Sequence, residues 1–126
     1  MDTVNQIDAI EAIKAKMLKT SFYAMFRTLK DPAKMQAGRL EHLQWLLDLE
    51  KRDLIFASGP LVRRDGSTDP GLTIFRVASY ADAEKLALED PFVVQGAVSF
   101  EIRGWPFGIG RINLSLDFSD QTYGFR

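Results

Sequence analysis

The run SFYAMFRTLKDPAKMQAGRLEHLQWLLDLEKRDLIFASGPL, residues 21–61, encodes a strand, a long helix and a second strand in that order. Phe22, Ala24 and Phe26 alternate with Tyr23, Met25 and Arg27. This period of two predicts a strand over Ser21–Leu29 with apolar character on both faces. Asp31-Pro32 then opens a helix that runs to about Arg52. Aspartate accepts the unpaired amide hydrogens of a helix start, while proline has none to leave unpaired and a φ already near helical. Leu54 to Leu61 reads as the second strand, ending at Ser58-Gly59-Pro60.

Downstream, residues 63–71 hold Gly66, Asp69, Pro70 and Gly71 and predict a polar loop. Leu72–Ala78 follows as a third strand. Ser79, with Asp82 three residues on, resembles a capping box for a helix over 80–89. Asp90-Pro91 interrupts that helix and is placed to start a further turn. Val98, Phe100 and Ile102 then alternate with polar residues as a half-buried strand. Gly104, Pro106, Gly108 and Gly110 break the chain before Ile112, Leu114, Leu116 and Phe118 suggest one more strand. Upstream, Val4, Ile7, Ile10, Ile13 and Met17 recur at helical intervals and predict a leading amphipathic helix over 3–19.

The central order, β-α-β-β-α-β, is the split pattern of a ferredoxin-like α+β fold. It predicts a four-stranded antiparallel sheet with two helices on one face. Either Tyr23, Met25, Phe75 and Val77 or their neighbours then occupy the other face. An apolar sheet face left open usually marks an interface, so a homodimer closing sheet on sheet is expected. The last strand would extend the sheet edge or reach across to the partner.

Composition narrows the function. The 126 residues are 46% hydrophobic and 26% charged, which suits one globular domain over 1–126 and not a disordered chain. Cysteine is absent and histidine occurs once, so no disulfide, thiolate site, metal centre or cysteine nucleophile is expected. A net charge of −1 supplies no attraction to nucleic acid or to an anionic membrane. No apolar run is long enough to span a bilayer. Asp2, Asp8 and Glu11 interrupt the first twenty residues, unlike a signal peptide, so a cytoplasmic location is expected. P-loop, GxGxxG and GxSxG motifs are absent, and no cofactor is expected.

His42 is the residue best suited to proton transfer near neutral pH. On a helical wheel Met35, Leu40, Leu43, Leu46, Leu47 and Leu49 occupy about half of the circumference. His42 and Arg39 fall within that arc, one turn apart. An inward imidazole needs hydrogen-bond partners. Position alone favours a satisfied core or interface histidine over a catalytic one. Asp90, before Pro91, has two compatible readings: it caps a short helix, or it orients an imidazole. Spacing favours the cap. Gly59 lets the strand end bend or a ligand approach. Ser58 has no base that sequence can identify and takes no nucleophile role. Trp45 and Trp105 read as packing residues.

Several ordered pieces resemble the YCII-related (YciI-like) family. They are Arg39-Leu40-Glu41-His42-Leu43, Leu54-Ile55-Phe56-Ala57-Ser58-Gly59-Pro60-Leu61 and Ala83-Glu84-Lys85-Leu86, then Asp90-Pro91-Phe92-Val93-Val94-Gln95-Gly96-Ala97 and Ile102-Arg103-Gly104-Trp105. The resemblance covers roughly residues 21–107, leaving extensions over 1–20 and 108–126. It implies the dimeric α+β barrel fold and a proposed catalytic His–Asp pair, which falls on His42 and Asp90. One family member acts as a dehydrochlorinase on chlorinated aromatics.

With that resemblance, the expected function is a cofactor-free small-molecule enzyme, an isomerase or a lyase. His42 would move the proton, Asp90 would orient the ring, and Arg39, Ser58 and Gly59 would bind substrate. The alternative is a dimeric module that binds a small ligand or a protein without turnover. A third class, an RNA-binding sheet, shares the topology, but Leu72-Thr73-Ile74-Phe75-Arg76-Val77 lacks the RNA-binding signature.

Overall fold

In the computed structural model, residues 3–125 are described. The elements are α1 (Thr3–Lys14), β1 (Ser21–Leu29), α2 (Pro32–Lys51), β2 (Ile55–Val62), β3 (Thr68–Phe75), α3 (Tyr80–Glu89), α4 (Pro91–Val94), β4 (Val98–Pro106), β5 (Leu114–Leu116) and β6 (Tyr123–Phe125). They cluster as two compact units: residues 21–106, and the flanking stretches up to Thr20 and from Phe107.

The larger unit is the βαββαβ domain. Its strands run antiparallel in the order β2-β3-β1-β4. Met25, opposite Thr73 and Ile102, and Tyr23, opposite Phe75, set the register on one face. On that face Met25, Phe75 and Ile102 pack with Leu49 of α2 and with Ala83 and Ala87 of α3. The small α3 residues let the helix lie close to the sheet. By alternation, Phe22, Ala24, Phe26, Leu72 and Ile74 take the opposite face, so it is the neighbours of Tyr23 and Met25 that lie away from the helices.

The expected caps form. Asp31 accepts from the Ala33 and Lys34 amides at the start of α2, and Ser79 accepts from the Asp82 amide at the start of α3. The predicted inward arc of α2 needs correction. Gly38, His42 and Leu49 are its buried residues, with Met35, Trp45 and Leu46 half-buried. Leu40, Leu43, Leu47 and Arg39 are exposed. Leucines occur around most of α2, so the pattern does not select a face. The face turned inward is the one that admits close neighbours: a methyl on Gly38 would stand 2.5 Å from Gln95 Oε1.

β3 begins at Thr68, four residues before the expected start, because β2 and β3 form a hairpin that continues past the strands flanking them. Pairing shifts between Gly59 and Leu61, opposite the Pro70-Gly71 step. Such an irregularity tolerates the missing proline amide. Gly71 has φ +81°, and a methyl there would overlap the Gly59 carbonyl and stand 2.6 Å from Pro60 Cα. Gly66 has φ +89° with open space around it. Gly66→Ala is therefore expected to cost roughly 1–3 kcal/mol, the strain of the conformation alone. Gly71→Ala must cost clearly more, since backbone has to move. Urea midpoints compare the two variants; equal losses would mean the collision relaxes freely.

The flanking unit holds α1 and the β5–β6 pair. α1 ends at Lys14, earlier than expected, in a turn where Lys16 N donates to Ile13 O. The predicted last strand is confined to Leu114–Leu116 and pairs antiparallel with β6. It does not extend the four-stranded sheet. No helix among the described residues is long and apolar enough to cross a membrane.

Candidate functional site

Two residues far apart in sequence meet because α2 and the α3–α4 junction both lie over the same sheet face. His42, in the middle of α2, is 7% exposed, and Asp90 is fully buried between α3 and α4. His42 Nδ1 lies 2.8 Å from Asp90 Oδ1. The same oxygen accepts the Phe92 amide at 3.0 Å, so Asp90 caps α4 and holds the imidazole at once. Its other oxygen, Oδ2, accepts from Arg27 Nε at 2.9 Å. Phe92, placed by that cap, stacks on the His42 ring at 3.8 Å between centroids and 10° between planes. One hydrogen bond and one stacked face thus define both the position and the plane of the ring.

The electrostatics follow. Burial alone would raise the Asp90 pKa. The His42 hydrogen bond and the charges and hydrogen bonds of Arg27 and His42 outweigh it, so Asp90 titrates below its ordinary value. Burial lowers the Arg27 guanidinium, and Asp90 opposes that fall. At neutral pH the aspartate is an anion and only accepts. Nδ1 therefore carries a hydrogen, and in the neutral ring Nε2 carries the lone pair. Nε2 has no hydrogen-bond partner among the described residues and is not one of their buried unpaired atoms, so it opens to solvent. A positioned imidazole with an open Nε2 is equipped to accept and return a proton.

The interaction network extends further than sequence reasoning placed it. Arg27 Nη2 donates to Thr73 Oγ1 at 2.9 Å, and Thr73 Oγ1 lies 2.7 Å from Ser58 Oγ. Ser58 thus joins the same chain of contacts. Arg27 and Thr73 were missed, although one signal was present: a basic residue in a strand otherwise apolar on both faces. Arg39 stays outside the network, exposed on α2. Gly59 borders open space, where a side chain would meet nothing within 4 Å. Trp45 packs edge-on to Phe75 at 6.5 Å, in keeping with a packing role, and its Nε1 is buried without a partner. Among the described residues, no group of three or more His, Asp or Glu is arranged to hold a metal ion.

The fold and site define an α+β domain of ferredoxin-like topology with a buried, charge-paired histidine. Residues 21–106, the whole of the larger unit, match the YCII-related domain family, and the chain belongs to that family. Among solved structures, 5-chloro-2-hydroxyhydroquinone dehydrochlorinase (TftG) from Burkholderia phenoliruptrix AC1100, in complex with 2,5-dihydroxybenzoquinone, has the same fold. It aligns with a TM-score of 0.57 and 20% identity, over 69% of this chain and 95% of its own. No curated protein sequence matches this chain.

Proposed function

We propose that this chain is a small-molecule enzyme in which His42 takes a proton from substrate and returns it. The reaction is an isomerisation, or an elimination beside a carbonyl or phenol. The observation that carries this reading is the Nδ1 contact to Asp90 at 2.8 Å with Nε2 left open. In either reaction Nε2 removes an acidic C–H proton and the electron pair enters the neighbouring π system. In the isomerisation the proton returns at another carbon. In the elimination a leaving group departs with its bonding pair and the proton passes to water. Asp90 holds the ring and balances its charge while it is protonated. Fold likeness to a dehydrochlorinase supports the elimination branch. A homodimer belongs to the same reading, supported by Phe26 and Phe56, which remain 39% and 37% exposed.

A test that does not depend on the identity of the leaving group is proton exchange. Small ketones, enols and phenols are incubated with the protein in deuterium oxide, and loss of C–H signal is followed by NMR. Catalysed exchange or elimination for at least one compound is the expected result. Compounds that bind tightly yet return unexchanged across the panel would instead identify a binding module.

A further inference from the structure

Between α2 and β2 lies a cleft of about 460 Å³. Leu43, Leu46 and Leu47 line it from the helix, and Ile55 and Phe56 from the strand. Leu43 is next to His42 in the chain, and Leu46 lies one helical turn beyond it. Ser58 and Glu50 are the polar residues of its lining. Its walls therefore suit a small apolar body, and its two polar residues decide what that body must carry.

The state of the Ser58 hydroxyl follows from its partners. Arginine has only donors, so Thr73 Oγ1 accepts from Arg27. Thr73 is fully buried, and the acceptor available to its own hydrogen is Ser58 Oγ at 2.7 Å. Ser58 Oγ is thereby the acceptor in that contact, and its hydrogen is left to point elsewhere. Among the described residues the remaining acceptor is the Leu72 carbonyl at 3.3 Å, a long bond for a hydroxyl. Each bond in this relay is polarised from the guanidinium outward, which strengthens Ser58 as a donor.

We infer that the cleft is the substrate pocket of the proposed enzyme, that Ser58 donates to an enolate, phenolate or carbonyl oxygen of an otherwise apolar substrate, and that Thr73 and Arg27 are positioning residues that set the direction of that donation. Glu50, an anion lining the same cleft, selects against a second negative charge, so dianions are poor ligands. This inference rests on the small-molecule reading above, but it concerns binding polarity and not proton transfer.

The probe is para-nitrophenolate, compared with para-nitrotoluene, which has the same body without the oxygen. Binding is measured by titration of the wild-type chain and of Ser58→Ala, Thr73→Val and Thr73→Ser. Ser58→Ala is expected to weaken the phenolate roughly 10–100-fold while leaving the toluene almost unchanged. Thr73→Val, which touches no ligand, should reproduce the selective loss, and Thr73→Ser, which keeps the hydroxyl, should restore it. Equal weakening of both probes would reduce Ser58 to a packing residue and overturn the inference. So would unchanged phenolate affinity in Ser58→Ala, or a wild-type chain that binds neither probe. If Thr73→Val does not fold, Ser58→Ala and Thr73→Ser still decide. Failure here with His42-dependent exchange intact rejects the cleft alone. Selective phenolate binding with no exchange by the wild type upholds the cleft and rejects the enzyme.

Discussion

His42→Ala is expected to lower the exchange or elimination rate by about 10²–10⁴-fold, the usual worth of a positioned acid–base group. The loss should fall on kcat and leave KM nearly unchanged, because Nε2 acts on the reacting proton and the apolar contacts to substrate come from other residues. The fold should survive. Asp90 keeps Arg27 and the Phe92 amide when the imidazole is removed, so the anion is never left without partners. Losing a hydrogen bond to a charged group, with the stacked ring, costs roughly 1–3 kcal/mol. Steady-state kinetics alongside a urea melt separates the two effects. A variant that folds and turns over at the wild-type rate removes His42 from the mechanism.

Asp90→Ala should be the most destabilising single change in the domain, at about 3–5 kcal/mol, or roughly 10–20 °C in melting temperature. It strips the cap from α4, releases the imidazole and leaves Arg27 buried without a counter-charge. Asp90→Asn tests which of these losses dominates. The position of Oδ1 must stay an oxygen to accept the Phe92 amide, so the new NH2 group faces Arg27 Nε, donor against donor. Its cost is therefore expected to come through Arg27, and Arg27→Met in the same chain should recover part of it. A double-mutant cycle showing simple additivity would contradict that coupling.

The pH dependence has a definite sign. Asp90 titrates lower in the folded chain than in the unfolded one. Its contribution is complete above the ordinary carboxylate range, about pH 4, and is lost as pH falls through the depressed folded value. The stability gap between wild type and Asp90→Asn should thus close as pH falls below the carboxylate range. A gap that stays open once the pH is below that range would reverse the assignment.

Local signals carried much of the architecture. Asp31-Pro32 and Ser79 with Asp82 mark helix starts because capping is settled within a few residues, and in both the first side chain accepts a helix-start amide. Strand alternation in Ser21–Leu29 and Val98–Phe100–Ile102 likewise reflects the pleat. Where the reading failed, the deciding contact was distant. Asp69-Pro70-Gly71 reads as a loop, yet it lies in β3 because its irregularity is matched by Pro60 across the hairpin. The inward face of α2 was misjudged because leucines surround it, and the choice was made by what Gly38 and His42 meet around α4.

The site shows the same division more sharply. Sequence alone determined the βαββαβ order of the larger unit, the helix starts and the presence of a single imidazole on α2, since these depend on backbone geometry and composition. The family resemblance paired that imidazole with Asp90, which spacing alone assigned to a cap. Only the tertiary structure decided that Asp90 does both, that Arg27 supplies the buried counter-charge, and that Thr73 links it to Ser58. The bonded pairs among these side chains lie 15 to 63 positions apart along the chain. Sheet register, β1 against β3, and the docking of α2 and α4 bring them together. A buried charge must find its partner in space, and nothing in the local pattern records which partner that is.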